Sequence, residues 1–457
     1  MVILVARLPY LVVLFIFVLF TFTWRTFSTL YIDLTGPVYS SQLERVVGPG
    51  SSTVVQTLSY FATLAPFLFI FRPDAMQKLA QLAPEPARRR SDEFTAGDAI
   101  FYLSLAFVVL LYFELVRIGI VPLVEGMERF DYTNKYASFA HVLLFEKGNL
   151  LAFVWGAVFA YTWIVEERFD LRIIGLVLAI FVYAFVTGNR FSAFYSVGSF
   201  FLSPLGAVMV LIHFRETATA GIVRMQEIMR SNVFLAGVLM TVLTAVLVAI
   251  GMYNNLVNVR GYTGTEAVER FKERSLIQPS EMWWVTYERI YLTGNWQPQL
   301  AYQFLFVNPI DAERNTTPQL LMSKAISSQR TYRHILSGFQ FAGGFPEVFF
   351  ELFGKRWAWP MLFFVGLCSA VLMYIVLRSI IIGALATAFL AQYVLYGLLV
   401  MYIGGMLNFI LPWTYWVKIV ALIIALTIEW GTPVKIVPWR LFQSSPKSLP
   451  SVESEAT

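Results

Sequence analysis

The sequence predicts an all-α polytopic membrane protein that forms a single integral membrane domain over residues 1–457. Of these residues 58% are hydrophobic and only 14% are charged, whereas an ordinary soluble domain has about 25% charged residues. The mean hydropathy is +0.65. Apolar runs nearly free of charge recur along the whole chain, and each approaches the roughly 20 residues that an α-helix needs to cross a bilayer core.

These runs predict about ten membrane-spanning helices, with one large and partly helical outer segment between the seventh and the eighth. The first run follows Met1 and one arginine, as in a signal peptide, but no small-residue cleavage site follows it, and we therefore treat it as a helix. The ten predicted spans are Pro9–Phe22, Thr53–Phe71, Ala99–Gly119, Leu150–Val165, Ile173–Val186, Phe191–Phe214, Val233–Tyr253, Trp357–Leu377, Ile380–Tyr402 and Trp413–Trp430.

The basic residues predict which side of the membrane each loop faces. Lys and Arg accumulate in short cytoplasmic loops, and here they concentrate after the second, fourth and sixth runs and at the C-terminus, for example in the triplet 88–90. Both termini are therefore expected in the cytoplasm. By alternation, residues 254–357 face outward, and residues 443–457, rich in Ser and Pro, are expected to form a disordered cytoplasmic tail.

The composition also excludes several classes of function. Cys368 is the only cysteine, so the chain forms no intramolecular disulfide and no thiolate metal cage. The 34 Lys and Arg residues exceed the 29 Asp and Glu residues by only five, an excess that loop orientation explains without nucleic acid. No His-rich or paired-Asp pattern with metal-ligand spacing occurs, and we expect neither a metal nor another cofactor.

Arginine and aromatic residues are concentrated in the outer segment 254–357. It holds eight Arg but only three Lys, and the planar guanidinium binds phosphate or carboxylate bidentately. Aromatic rings can stack on sugars, which makes Trp283 and Trp284 candidate sugar-binding residues. In the earlier outer loop, Arg129 and Tyr132 are further candidates. Ordinary loop salt bridges and interfacial aromatic residues are the alternative explanation of this composition.

Two arginines are expected at the level of the lipid headgroups. Arg190 ends the short turn 187–190 between two apolar helices, so it either extends to the interface or engages a partner. Arg260 follows the helix that ends near Tyr253, and it reaches the same depth if the two helices are neighbours. An exposed loop arginine beside the turn residue Gly261 is the alternative for Arg260.

The end of the outer segment carries the candidate catalytic residues. If the stretch is helical, Arg330 and His334 share a face and Arg333 flanks them. An imidazole beside cations is disfavoured from protonating and can accept a proton, although a lone histidine also serves structural roles. Glu347 follows Pro346 where a helix is expected to begin. Its carboxylate either stabilises the helix N-terminus or binds or deprotonates a hydroxyl.

These features resemble the O-antigen polymerase and ligase superfamily, bacterial inner-membrane enzymes that act on glycans linked to undecaprenyl diphosphate. The resemblance covers most of the chain. It consists of the helix number, the large late outer loop, the turn at residues 187–190 and the Arg- and His-bearing helix before the next span. The segment from Gly343 to Gly354 resembles polysaccharide polymerases in particular. The turn departs from the common Ser-Arg-Gly of relatives and reads Asn-Arg-Phe.

The resemblance implies a polysaccharide polymerase, a metal-independent glycosyltransferase that moves a glycan from undecaprenyl diphosphate to a hydroxyl of an incoming lipid-linked repeat unit. Arg190 and Arg260, with Arg330 or Arg333, would bind the diphosphate. His334 or Glu347 would accept the proton. The site would face the periplasm from the bacterial inner membrane, with a lipid-linked oligosaccharide, membrane lipid and a chain-length regulator as partners.

Other functions remain open from the sequence. An O-antigen ligase uses the same donor and differs only in its acceptor. A glycosyltransferase that uses a polyprenyl monophosphate sugar is expected to carry an acidic pair in its first outer loop, where this chain has the widely separated Asp33 and Glu44. A lipid-linked glycan flippase or another transporter usually places ionisable groups along mid-membrane helices, whereas the spans here are nearly free of charge.

Overall fold

The computed structural model is predominantly helical. It describes residues 9–83, 96–125, 129–165, 170–188, 191–214, 263–299 and 344–431, together with the isolated residues 127, 250, 253, 257 and 329. The elements are α1 (Pro9–Thr35), β1 (Val38–Ser40), β2 (Arg45–Val47), α2 (Ser52–Ile70), α3 (Pro73–Ala80), α4 (Ala96–Ile118), α5 (Pro122–Glu125), α6 (Arg129–Lys135), α7 (Phe139–Val165), α8 (Leu171–Val186), α9 (Phe191–Phe214), α10 (Gly264–Lys272), α11 (Gln278–Tyr287), α12 (Glu347–Ile382), α13 (Leu385–Gly404) and α14 (Trp413–Gly431).

Seven of the described helices are long and apolar enough to span a membrane, and the bent α7 makes an eighth if its two parts count as one span. The predicted all-α membrane fold is thus confirmed at this level. The helix α8 is apolar but has only 16 residues. The predicted span Val233–Tyr253 lies almost wholly outside the described residues, so the total of ten remains a prediction.

The helix α1 continues well beyond Phe22, where the sequence pattern predicted its end, and that boundary was wrong. Hydroxyl side chains in its second half bond the carbonyl one turn earlier, as Thr26 Oγ1 does to Phe22 O at 2.7 Å and Thr29 Oγ1 to Arg25 O at 2.9 Å. These bonds satisfy the hydroxyl groups within the helix itself. Polar composition therefore did not end the helix.

The helix α12 begins at Glu347, directly after Pro346, as the position of that proline predicted. The predicted span began only at Trp357, so the last residues assigned to the outer segment are in fact helical. A kink at Gly354, with φ of 67°, divides α12 into two helical parts. The ring of Trp296 lies 3.1 Å from the position that a Cβ would occupy on Gly354, and this close contact favours glycine there.

The helices α2 and α12 pack closely along the centre of the bundle. A Cβ on Gly366 of α12 would lie 2.0 Å from the carbonyl oxygen of Thr63 in α2, so only glycine permits this approach. Nearby, the rings of Phe22, Tyr60 and Phe345 stack, with centroids of Phe22 and Tyr60 4.0 Å apart. The aromatic core thus joins the first third of the chain to the last.

Contacts along the helices show which of their ends lie together. Tyr195, early in α9, meets Phe17 at 5.5 Å between ring centroids, and Gly206, later in α9, faces the earlier Leu14. The two helices are therefore antiparallel. The turn at Thr187 and Gly188, which precedes α9, lies toward the end of the bundle at which α1 finishes.

The same reasoning places α13 and α12. Ser203 Oγ donates to Gln392 Oε1 at 2.8 Å, while the earlier Tyr195 stacks on the later Tyr396, so α13 is antiparallel to α9. After α13, Gly405 lies against the backbone of Gly344, just before α12. The ends of α1 and α13 and the starts of α9 and α12 therefore share one end of the bundle, called here the Glu347 end.

The opposite end is held together by a different set of polar contacts. Arg172 at the start of α8 donates to Asp170 Oδ2 at 2.7 Å and to Asp98 Oδ1, at the start of α4, at 3.3 Å. The backbone N–H of Thr387 donates to Glu429 at 2.9 Å, which joins the start of α13 to the end of α14. Neighbouring spans in the described part of the chain thus alternate in direction.

Candidate functional site

Two segments that are distant in sequence cover the Glu347 end. Residues 36–50 form a hairpin in which β1 and β2 pair antiparallel, with Val38 opposite Val47. Residues 263–299 form α10, α11 and two π-helical turns. Together these segments are called the cap. It is anchored on α1, where Trp24 Nε1 donates to a carbonyl of the cap at 2.8 Å.

The centre of the Glu347 end is a buried ion pair between Arg25 and Glu347. Their side chains are 3% and 0% exposed. Arg25 Nη2 donates to Glu347 Oε1, its Nη1 donates to the carbonyl of Phe345, and its Nε donates to Pro279 O at 2.8 Å. One guanidinium therefore joins α1, the cap and the start of α12. The rigid donor fork of arginine suits this arrangement.

Several polar atoms around this ion pair have no hydrogen-bond partner among the described residues. They are Glu347 Oε2, Tyr60 Oη and Gln56 Nε2, all buried. Thr29 Oγ1 lies 2.7 Å from Gln56 Oε1, and the ring of Tyr60 stacks on Phe22, one turn before Arg25. One hydrogen-bond acceptor, Glu347 Oε2, and two donors, Tyr60 Oη and Gln56 Nε2, thus lie beside the ion pair without a hydrogen bond in the described part of the chain.

A second buried carboxylate, Glu351, lies one helical turn after Glu347. It forms an ion pair with Arg289 of the cap and accepts a hydrogen bond from Thr286 Oγ1 at 3.2 Å. The carbonyl of Glu351 accepts from Trp296 Nε1 at 3.0 Å. Since a buried charge is tolerated only when it is paired, these bonds fix the second half of the cap on α12.

A third buried carboxylate, Glu281, has no cation beside it among the described residues. Its Oε2 accepts a hydrogen bond from Ser40 Oγ of the hairpin. The pKa of Glu281 is raised to about 8, mainly by burial; the hydrogen bond from Ser40 lowers it, and the charge of the nearby Glu273 raises it by a smaller amount. At neutral pH the folded protein therefore favours the protonated form of Glu281, which needs no counter-ion.

The two candidate sugar-binding tryptophans lie inside the cap. Trp283 is fully buried and donates from Nε1 to Ser52 O at 3.1 Å. Trp284 is 5% exposed, and the guanidinium of Arg45 lies 5.9 Å from its ring centroid. The ring of Trp283 packs edge-on against Phe350 of α12 at 5.4 Å between centroids, whereas Trp284 packs with Leu43 and Val47 of the hairpin. The contacts described for them are with protein, and their sugar-binding role remains a prediction.

Tyr132 and Arg129 both belong to the short helix α6. The Tyr132 ring is 1% exposed and packs edge-on against His141, 5.3 Å between centroids. His141 in turn hydrogen-bonds Tyr183 through Nδ1 at 3.0 Å. This aromatic cluster lies one turn before Thr187. The side chain of Arg129 lies outside the described part of the structure, so the proposed roles of both residues remain predictions.

The other candidates fall outside the described residues: Arg190, Arg260, Arg330, Arg333 and His334. For two of these residues, Arg190 and His334, the structure describes a residue that lies nearby in sequence. Gly188 precedes Arg190 at the Glu347 end, and Gly344 begins the described chain ten residues after His334 at the same end. The position of His334 itself stays a prediction.

The residues that sequence reasoning missed are Arg25 and Glu351. The predicted first span ends at Phe22, which leaves Arg25 in the short outer loop that follows it. A usable signal was present, because Arg25 is followed by Thr26, Ser28 and Thr29, hydroxyl residues that remain compatible with a membrane helix. Glu351 lies four residues after Glu347, which places both carboxylates on one face of a helix.

Within the described residues, no group of three or more His, Cys, Asp or Glu side chains is arranged to hold a metal ion. The charged centre of the Glu347 end is built instead from guanidinium and carboxylate pairs. Glu347 accepts a hydrogen bond at Oε1, whereas its Oε2 has no partner among the described residues. Such an arrangement can bind a hydroxyl or accept a proton at the remaining carboxylate oxygen.

Comparison with known proteins gives one match. Residues 311–416 match the model of a family described as a family of unknown function, DUF6418. The matched region contains Glu347 and Glu351, the whole of α12 and α13, and the start of α14. No curated protein and no solved structure matches the chain.

Proposed function

We propose that this protein is a polysaccharide polymerase that transfers a glycan from undecaprenyl diphosphate to a hydroxyl group of an incoming lipid-linked repeat unit. The observation that carries the proposal is the state of Glu347. Arg25 binds its Oε1, while Oε2 has no hydrogen-bond partner among the described residues. A carboxylate fixed at one oxygen and unused at the other is suited to bind an acceptor hydroxyl.

The arrangement of the Glu347 end supports the same reaction. Gly188, two residues before Arg190, and Gly344, ten residues after His334, both lie at this end, where α1, α9 and α12 meet. A lipid-linked donor keeps its polyprenyl tail in the membrane, so its diphosphate must be bound where helices meet the headgroups. The proposed diphosphate ligands are Arg190 and Arg260, with Arg330 or Arg333.

The proposed chemistry needs no redox step. The acceptor oxygen forms a bond to the anomeric carbon of the donor glycan, and the bond from that carbon to the diphosphate oxygen breaks. The hydroxyl proton passes to His334 or to Glu347. The leaving diphosphate takes the electron pair of the broken bond, and arginine side chains stabilise its charge. The donor is already activated, which leaves the protein the tasks of alignment, proton acceptance and charge stabilisation.

We propose a bacterial inner membrane as the location, with the Glu347 end facing the periplasm. Arg172 and Arg378 lie at the opposite end of the bundle, where Arg378 packs over Trp430 at the end of α14. Lys and Arg favour the cytoplasmic side, so both termini are assigned to the cytoplasm. A chain-length regulator is the proposed protein partner.

The test is elongation of a lipid-linked repeat unit by the purified protein. We expect wild type to form polymer. We expect Arg190→Ala, Arg260→Ala, His334→Ala and Glu347→Gln to lose about 10²-fold or more in rate, the usual scale for removing a charge-stabilising or proton-accepting group. Arg356→Ala is the matched control, because Arg356 is an exposed arginine of α12 outside the site.

The outcomes distinguish the alternative functions. A flippase moves the lipid-linked unit across the vesicle membrane without elongating it. A ligase transfers the glycan only when a different acceptor lipid is added. Wild-type rates of elongation in both Arg190→Ala and Arg260→Ala would refute the diphosphate assignment, and a wild-type rate in Glu347→Gln would refute its role as hydroxyl acceptor.

A further inference from the structure

Two lysines lie near the beginning of membrane-spanning segments at the Glu347 end. Lys418 is in the second turn of α14, a helix that starts at this end because it follows α13. Lys147 is at the bend of α7, where two helical parts meet at 66°. The neighbouring Trp413 and Trp416 are 63% and 58% exposed, and tryptophans at such positions are typical of the headgroup region of a bilayer.

Lys418 is held against the bundle by an aromatic ring. Its Nζ lies 4.2 Å from the ring centroid of Tyr393 in α13. Tyr393 is itself fixed by edge-on contacts with Phe200 and Phe389, each 5.4 Å away between centroids. The ammonium of Lys418 therefore has a defined position on the side of α13, unlike a lysine that extends freely into water.

Both lysines lie on the Glu347 side of a contact between α7 and α13, in which the rings of Phe153 and Phe389 are 5.6 Å apart between centroids. The charges of the two lysines repel each other. Among the described residues, neither lysine takes part in an ion pair with a carboxylate. Two like charges close together at the edge of the apolar layer are unfavourable, because screening by water is weaker there. A phosphate between the two ammonium groups would offset this repulsion, because each ammonium group would be attracted to one of its oxygens.

We propose that Lys147 and Lys418 bind the phosphate of an anionic lipid headgroup beside Tyr393. The site is separate from the Arg25 and Glu347 centre, and the proposal stands whether or not the polymerase assignment holds. Two lipids supply the required chemistry: a membrane phospholipid with net negative charge, and a polyprenyl phosphate. In both, the tail stays in the bilayer while the phosphate reaches the two ammonium groups.

The test measures the melting temperature of the delipidated full-length protein in neutral detergent, with phosphatidylglycerol, undecaprenyl phosphate or phosphatidylcholine added. A ligand that binds only the native state raises this temperature. We expect both anionic lipids to raise it by more than the zwitterionic phosphatidylcholine does. We expect Lys147→Gln/Lys418→Gln to lose at least half of the difference. The control pair Lys272→Gln/Lys355→Gln, which changes two exposed lysines, should keep it.

Retention of the full difference in Lys147→Gln/Lys418→Gln would overturn the proposal, as would equal shifts with anionic and zwitterionic lipids. A larger shift with undecaprenyl phosphate than with phosphatidylglycerol identifies a polyprenyl phosphate as the ligand, and equal shifts identify a membrane phospholipid. If the Gln pair does not fold, Lys147→Arg/Lys418→Arg and native mass spectrometry of wild type decide. If wild type and the Arg variant both retain anionic lipid in preference to phosphatidylcholine, the site is supported. If wild type shows no such preference, the proposal is refuted.

Discussion

Arg25 in the first helix and Glu347 in the twelfth form an ion pair across 322 residues of sequence, and both side chains are buried. The pair links the side chain of a residue in α1 directly to the first residue of α12. Arg25 also donates to backbone carbonyls of Phe345 and Pro279. Its guanidinium thus joins three separate parts of the chain, and the first predictions concern its contribution to stability.

Removing one partner of this pair should destabilise the protein strongly. Arg25→Leu leaves the Glu347 charge buried without a counter-ion, and Glu347→Leu does the same to Arg25, so each should cost about 3–5 kcal/mol. The double variant Arg25→Leu/Glu347→Leu should lose clearly less stability than the sum of the two single losses, because neither charge is left unpaired. Unfolding of purified protein in detergent measures all three. Additive losses would show that the two side chains do not depend on each other.

The packing of α2 on α12 should depend on Gly366. A methyl group there would lie 2.0 Å from Thr63 O, so Gly366→Ala must push the helices apart, at a cost of about 1–3 kcal/mol. Gly175→Ala in α8 is the matched control, since no atom lies within 4 Å of the added carbon. Melting temperatures of both variants test this, and an equal effect of the two would contradict the described helix contact.

The attachment of the cap should weaken as pH rises. The pKa of Glu281 is about 8 in the folded protein against 4.5 for the unperturbed group. The folded state therefore holds a proton that the unfolded state has released, and its stabilising contribution falls progressively between these two values. Melting temperature should drop from pH 5 to pH 8.5, and it should drop less in Glu281→Gln. An identical pH dependence of the two proteins would contradict a shifted Glu281.

Residues of the cap and residues after α2 should lie on opposite sides of the membrane. Single cysteines at the exposed Lys272 and Lys78, placed in a Cys368→Ala background, report this directly. A membrane-impermeant thiol reagent added to intact bacterial cells with a permeable outer membrane should label Lys272→Cys only. Labelling Lys78→Cys under the same conditions would reverse the proposed orientation, and labelling both would contradict the alternating direction of the helices.

The hydrophobic runs of the sequence predicted most of the described spans, because a membrane helix needs about 20 apolar residues and few other patterns provide them. Boundaries were predicted less well where polar groups are satisfied inside a helix. The end of α1 was missed for this reason, as its hydroxyl residues bond to the helix itself. A helix was expected from Glu347, but the eighth span was predicted to begin only at Trp357, because Glu347 and Glu351 are charged. In the folded protein Arg25 and Arg289 pair with these two carboxylates.

The sequence indicated which residue types belong to the candidate site, but not which side chains pair with each other. The sequence marked Glu347 through its position after Pro346, and it marked the arginines of the outer segment through their number. Pairing across hundreds of residues leaves no local pattern, so Arg25 could not be connected with Glu347. The burial of Trp283 could not be predicted either, because an aromatic residue in a predicted outer segment can contact a ligand or pack in a core.

The distance in sequence between Arg25 and Glu347 also sets an order of events during biosynthesis. At about 5–20 residues per second, the ribosome needs roughly 15 to 60 s to add the residues that separate them. Throughout that interval the nascent chain carries a guanidinium without its final counter-ion. The Glu347 end is therefore completed late in synthesis. Chains truncated before α12 never complete it, and they are expected substrates of quality-control proteases.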